Sequence, residues 1–147
     1  MTRHTYRARL ATAADATDIA RLFTDFNNEF DEPTPAPQLV AERVAAQIER
    51  GRSTFLLLGD GPDGFAQLRY RSSLYSAGLE AHLQELYVVP ELRGEGRGRA
   101  LLEAALEEAR AAGASFIDLG TSEDDVAARR LYESLGFTNR EGKADGP

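Results

Sequence analysis

Three glycines fall within five positions, Gly94, Gly96 and Gly98, in the stretch PELRGEGRGRALL. They separate an apolar run that closes at Pro90 from a long helical pattern. Proline ends strand pairing, because it lacks an N–H and its φ is fixed. Glycine lets the chain curl where other residues clash. A helix that begins straight after such a turn presents unpaired N–H groups and a partial positive charge. The combination predicts a strand–turn–helix unit whose main chain wraps an anion. Arg93, Arg97 and Arg99 add the positive charge that balances a phosphate.

Two common phosphate loops do not fit. A Walker A loop needs Gly-Lys-Ser/Thr, and here Gly98 is followed by Arg99 and Ala100. A dinucleotide fingerprint needs G-x-G-x-x-G in the first β-α unit, whereas this spacing is G-x-G-x-G in the second half of the chain. A strand that stops pairing at Pro90 splays from its neighbour, and its free backbone groups can bind an extended amide-bearing ligand as an added strand would. A ligand with both an amide arm and a pyrophosphate is coenzyme A.

The rest of the chain frames this unit. TYRARLA (5–11) alternates as a strand does. A helix is predicted over 12–30, with Thr12 or Asp15 as its cap and Ile19, Leu22, Phe23 and Phe26 as its apolar stripe. Prolines make 31–37 a loop. A second helix runs to Gly51. STFLLLGD and FAQLRYRSSLY form a hairpin about the GPDG turn. LEAHLQELYVVP is the strand before the glycines, a helix follows over about 96–112, SFIDLG (115–120) reads as a short buried strand, and SEDDVAARRLYESLG as a last helix. FTNRE is read as the start of a final strand. The order β-α-α-β-β-β-α-β-α-β predicts an α/β (α+β) fold in one domain over 1–147. Its mixed, mostly antiparallel sheet carries helices on both faces.

Composition closes off other classes. Hydrophobic residues are 42% of 147, enough for a real core, and there is no cysteine, so disulfide, thiolate-metal and cysteine-nucleophile chemistry are excluded. Two histidines without a His-x-x-x-His pair make no zinc site, so no metal is expected. The net charge of -7 argues against nucleic acid as a partner. The start has no signal-peptide core and no run approaches a membrane span, so a cytoplasmic protein with no membrane partner is expected. Lys143 is the only lysine. The bias to arginine fits a GC-rich bacterial genome.

LYVVPELRGEGRGRALL resembles the acyl-CoA-binding motif R/Q-x-x-G-x-G/A of the GNAT superfamily of N-acetyltransferases, with Arg93, Gly96 and Gly98 at its fixed positions. AARRLYESLGF resembles that superfamily's downstream motif N-x-x-A-x-x-L-Y-x-x-x-G-F, through Ala128, Leu131, Tyr132, Gly136 and Phe137. The motifs occur in the family's order, and the likeness covers nearly the whole chain.

The resemblance implies an acetyl-CoA-dependent N-acetyltransferase. It would pass an acetyl group directly to a primary amine of a small molecule or a peptide amino terminus. A second reading is a catalytically weak acyl-CoA-binding regulatory module. A third, a nucleotide-binding domain, would respond to ATP or NAD instead. In the enzyme Tyr132 is the acid that protonates the departing thiolate. Leu86, Tyr87 and Val88 hold the pantetheine arm and carbonyl through backbone atoms. Gly94, Glu95, Gly96, Arg97, Gly98 and Arg99 cradle the pyrophosphate.

The base is expected in the preceding strand. Alternation puts Leu83, Glu85 and Tyr87 on one face, and His82, Gln84 and Leu86 on the other. Glu85 is the first candidate. His82 is the second, because imidazole titrates near neutrality. Asp125 is carried over as a cofactor-binding residue at a position where the family often has asparagine; an ionised Asp cannot donate, and the cluster SEDD (122–125) also reads as a helix cap. Asn27, Glu29, Asp31 and Glu32, in and beside the first inter-helix loop, are the candidates to recognise a cationic amine. The family continues past LGF through a hairpin to a seventh strand, and TNREGKADGP is too short for that return. The strand edge so left open invites pairing with another chain, so a homodimer is expected.

Overall fold

The computed structural model describes residues 6–75, 77–120 and 126–137. The expected final strand FTNRE lies outside them beyond Phe137, as does the cap cluster 122–125 with Asp125.

Ser53–Leu58 (β2) is apolar almost throughout because both of its faces are covered. Leu56 and Leu58 point to one side, with Leu101, Leu102, Ala105 and Ala109 of a helix over Arg97–Ala111 (α3). Phe55 and Leu57 point to the other, with Ile19 and Leu22 of Ala16–Glu29 (α1) and Val40 and Val44 of Pro37–Glu49 (α2). Residue-by-residue alternation in one strand thus feeds two cores.

β2 pairs antiparallel with Ala8–Leu10 (β1) and with Gly64–Ser72 (β3), which pairs antiparallel with Leu79–Val88 (β4). Ala114–Leu119 (β5) joins β4 in parallel, which requires the α3 crossover between them. The sheet order is β1-β2-β3-β4-β5, and Val126–Ser134 (α4) follows. The mixed, mostly antiparallel sheet and its helices on both faces are as the pattern predicts.

Three local expectations need correction. The first helix does not begin at Thr12: a 3-10 turn over Ala13–Asp15 comes first, and the Asp15 carboxylate accepts the Thr12 amide at 2.8 Å. SFIDLG is not a buried strand: Ser115 and Phe116 are exposed, Phe116 at 46%. Among the described residues no strand pairs the far side of β5 and no helix covers these side chains.

The third concerns the faces of β4. Gln67 pairs with Glu85 but Leu68 pairs with Leu83, so Gln84 is an extra, bulged residue. The bulge reverses alternation. Ala81, Leu83 and Val88 point to the α3 core, Leu86 packs against it, and Tyr87 points to the α1/α2 core. Glu85 therefore shares the α1/α2 face with Tyr87 and His82, and Leu83 does not.

Candidate active site

The parting of β4 and β5 begins well before Pro90. The last parallel pair is Leu83 with Leu119, whereas pairing to β3 continues to Val88. Residues 84–88 thus have a β3 neighbour and an open opposite edge. Proline does not cause the splay, as expected from sequence; it only ends β4. The cause is the bulge at Gln84 together with the end of β5.

The hydrogen-bond pattern shows which groups face the gap. The Val89 amide donates to the Asp63 carbonyl at 2.9 Å, so 89 opposite 63, and two residues back 87 opposite 65, are the bonded pairs. Leu86 and Val88 lie between bonded pairs and turn their N–H and C=O to the open side. The Val88 carbonyl is already taken by Arg93 Nε at 2.8 Å. The main chain of Tyr87 faces β3, and its side chain is buried, stacked on Phe26 at 4.9 Å between centroids. Leu86 and Val88, and not Tyr87, offer the gap a main chain.

The glycine turn sits beyond the end of this edge. Gly94 and Gly96 have φ of 82° and 93°, left-handed values that glycine takes without strain. They bring the chain into α3, which starts at Arg97 with no side-chain cap. Ala100 is the first amide to reach a carbonyl, that of Gly96 at 3.0 Å. The amides of Arg97, Gly98 and Arg99 before it have no intrahelical acceptor and carry the helix's positive end. A Cβ at Gly94 would meet nothing within 4 Å, so the turn is open at that point.

The arginines are less available than their number suggests. Arg93 gives two guanidinium nitrogens to the Glu29 carboxylate at 2.7 Å each, and lies over the Tyr87 ring at 5.4 Å. Arg97 turns back to Glu95 and the Leu92 carbonyl, with its guanidinium 4.6 Å from the centre of the Tyr6 ring. Arg99 reaches Ser134 of α4 at 3.1 Å and Glu103 at 3.3 Å. Charge on the turn is therefore held in ion pairs, and the uncommitted donors are main-chain amides.

Glu85 lies on the α1/α2 face of β4 directly beside the gap. Burial, with no partner charge, pushes its carboxyl above the usual range. That is the environment of a carboxylate that accepts a proton readily. His82 stands further back on the same face, with Nδ1 2.7 Å from Asp118 Oδ1.

Tyr132 is carried by α4, which packs beside the head of α3. Leu131 packs 3.6 Å from where a Gly98 Cβ would sit, and Arg99 bonds Ser134. Tyr132 is part-buried against the α3-side core and meets the Phe137 ring edge-on at 6.1 Å.

Of the loop candidates, Glu29 is committed to Arg93, and its carboxyl is held below the usual range by that hydrogen bond. Asp31 has φ of 55° and is exposed, as is Glu32. Asp118 was missed from sequence; its only signal is a lone acid in an otherwise apolar strand.

A gap between two parallel strands, an uncapped glycine turn at its head and a half-buried carboxylate beside it make up the candidate site. Residues 17–137 match the model of the acetyltransferase (GNAT) family. The chain is 33% identical over 136 residues to the uncharacterized N-acetyltransferase YhfO of Bacillus subtilis (strain 168), covering 91% of both chains. It is 32% identical over 139 residues to an aminoglycoside N(6')-acetyltransferase type 1 of Stenotrophomonas maltophilia, covering 90% of this chain and 86% of that one. Among solved structures, a protein of Arthrobacter sp. FB24 assigned as an acetyltransferase superposes with a TM-score of 0.88 at 37% identity, covering 97% of this chain and 91% of that one. The chain belongs to the GNAT family and is an N-acetyltransferase.

Proposed function

We propose that this enzyme transfers the acetyl group of acetyl-CoA directly to a primary amine of a small molecule or of a peptide amino terminus. One observation carries the reading. The open edge of β4, with Leu86 and Val88 turned outward, leads straight into the uncapped amides of the glycine turn. An amide-bearing arm followed by a pyrophosphate matches that succession of donors and acceptors. The residues fit the group: the turn is open at Gly94, and three amides at the head of α3 await an acceptor.

Acetyl-CoA supplies an activated thioester. The chain's part is to bind, orient and move protons. Leu86 and Val88 hold the arm as an added strand, and the carbonyl of the thioester lies against main-chain N–H. The amides of 94–99 hold the pyrophosphate. Glu85 takes a proton from the incoming ammonium, directly or through water, so that its nitrogen is free to attack. A C–N bond forms and the C–S bond breaks. Tyr132 gives its phenolic proton to the departing thiolate, and the second proton that the nitrogen sheds on becoming an amide restores the phenol through water.

The aminoglycoside enzyme among the relatives supports a small polar amine as acceptor. Asp31 and Glu32, exposed in the loop after α1, supply negative charge for it. A cytoplasmic site of action and pairing of two copies along β5 belong to the same reading. Among the described helices none is long and apolar enough to cross a membrane. The binding half of the proposal is tested by calorimetry. Acetyl-CoA and CoA bind, and ATP and NAD do not; the reverse order of affinities overturns it.

A further inference from the structure

His82 and Asp118 are the last residues to face each other across β4 and β5 on the α1/α2 side. The only register pair after them, Leu83 with Leu119, points to the α3 side. The two side chains therefore form the floor of the gap, on the face that also carries Glu85. His82 Nδ1 lies 2.7 Å from Asp118 Oδ1, and the side chains are 43% and 45% exposed. An ionised carboxylate only accepts, so the proton in this contact belongs to Nδ1. In the neutral ring that leaves Nε2 as an acceptor.

The surrounding charges are Arg69, opposite His82 on β3, and the Arg71–Glu80 pair at 2.6 Å. Asp118 acts electrostatically on both members of that pair. Glu85 completes the set on β4. From α2, the uncharged Gln47 reaches this face of the sheet, where its Oε1 accepts from Ser53 and Gln67.

We propose that Asp118 is a positioning residue that fixes His82 with Nε2 as a proton acceptor, and that this pair carries the proton released at Glu85 out to solvent. The inference rests on the acetyl-transfer reading. Glu85 loses through water the proton it took from the ammonium, His82 gains it at Nε2, and bulk solvent removes it. Asp118 keeps its contact with Nδ1 throughout. The chemistry differs from that of a structural ion pair, because His82 must cycle between its two forms at each turnover.

The chain has only two histidines, so replacing His4 leaves the His82 ring alone in an imidazole NMR spectrum. In a His4→Gln background the neutral ring is expected as the Nδ1–H tautomer, and Asp118→Ala is expected to move it to Nε2–H. The same tautomer with and without Asp118 overturns the positioning role. In turnover, His82→Ala and Asp118→Ala are expected to lower kcat about tenfold without changing KM for acetyl-CoA. Added imidazole is expected to restore the His82→Ala rate. A wild-type kcat, or a loss that imidazole does not restore in a protein with wild-type circular dichroism, overturns the relay. Failure of the acetyl-transfer reading itself shows differently: the unaltered enzyme then acetylates no amine, while the tautomer measurement still reports on the pair.

Discussion

Glu29 and Arg93 join the end of α1 to the start of the glycine turn through two 2.7 Å hydrogen bonds, across 64 positions of sequence. The same guanidinium holds the Val88 carbonyl at the end of β4. One side chain thus ties helix, strand edge and turn. It fixes the main chain that, in the proposed function, meets the anion, and its charge is paired with Glu29.

Replacing Glu29 by Ala is expected to weaken acetyl-CoA binding several-fold while costing about 1 kcal/mol or less of fold stability, since the pair is partly exposed. Arg93 lowers the Glu29 carboxyl, so the stabilisation is full above the ordinary glutamate range and fades as pH falls through the depressed value. Thermal melts of the two proteins are expected to differ at neutral pH and converge in acid. Calorimetry checks the affinity.

Gly96 has φ of 93°, and a Cβ there would meet only Tyr6 at 3.8 Å, an ordinary contact. The cost of Gly96→Ala is therefore conformational, about 1–2 kcal/mol if the turn keeps its shape. If the turn relaxes instead, the amides diverge. In that case KM for acetyl-CoA is expected to rise by more than KM for the amine, which steady-state kinetics will show, whereas a turn that keeps its shape is expected to show the loss as a lower melting temperature.

Glu85→Gln is expected to lower kcat on the order of 10² to 10⁴-fold. Activity of the unaltered enzyme requires the ionised carboxylate. It should fall as pH drops through the raised Glu85 value, above the ordinary carboxylate range. Stability runs the other way. A carboxyl that binds its proton more tightly when folded loses stability as pH rises from the unfolded value to the folded one. The Gln variant is therefore expected to melt higher than the unaltered protein at neutral pH while being far slower.

Tyr132→Phe removes a proton donor and leaves a ring of the same shape against Phe137. The expected result is a kcat loss on the order of 10²-fold with acetyl-CoA affinity unchanged. Acceptors whose attack is slow should show a smaller loss, because thiolate departure then limits less of the rate.

Much of this site is legible in sequence because its signals are local. Gly94 and Gly96 announce a left-handed turn, Pro90 a strand end, and LYESLGF a helix that must lie near them. The bulge at Gln84 has no such signal. Strict alternation placed Glu85 beside Leu83, and one extra residue moved it to the face of His82. The splay was assigned to Pro90 because proline is visible, whereas its cause is where β5 stops beside β4. Arg93 read as a phosphate ligand because its partner, Glu29, is distant in sequence. Asp118 gains meaning only when parallel pairing sets it opposite His82.

The central claim is direct transfer of an acetyl group to an amine, and the chain has no cysteine, so a thiol reagent reads only released CoA. The most direct measurement follows that release across aminoglycosides, polyamines, amino acids and peptides, with mass spectrometry of the products. We predict that at least one primary amine yields one N-acetyl product per CoA released. Tight binding of acetyl-CoA with no release for any amine would contradict the account and leave a regulatory module in its place.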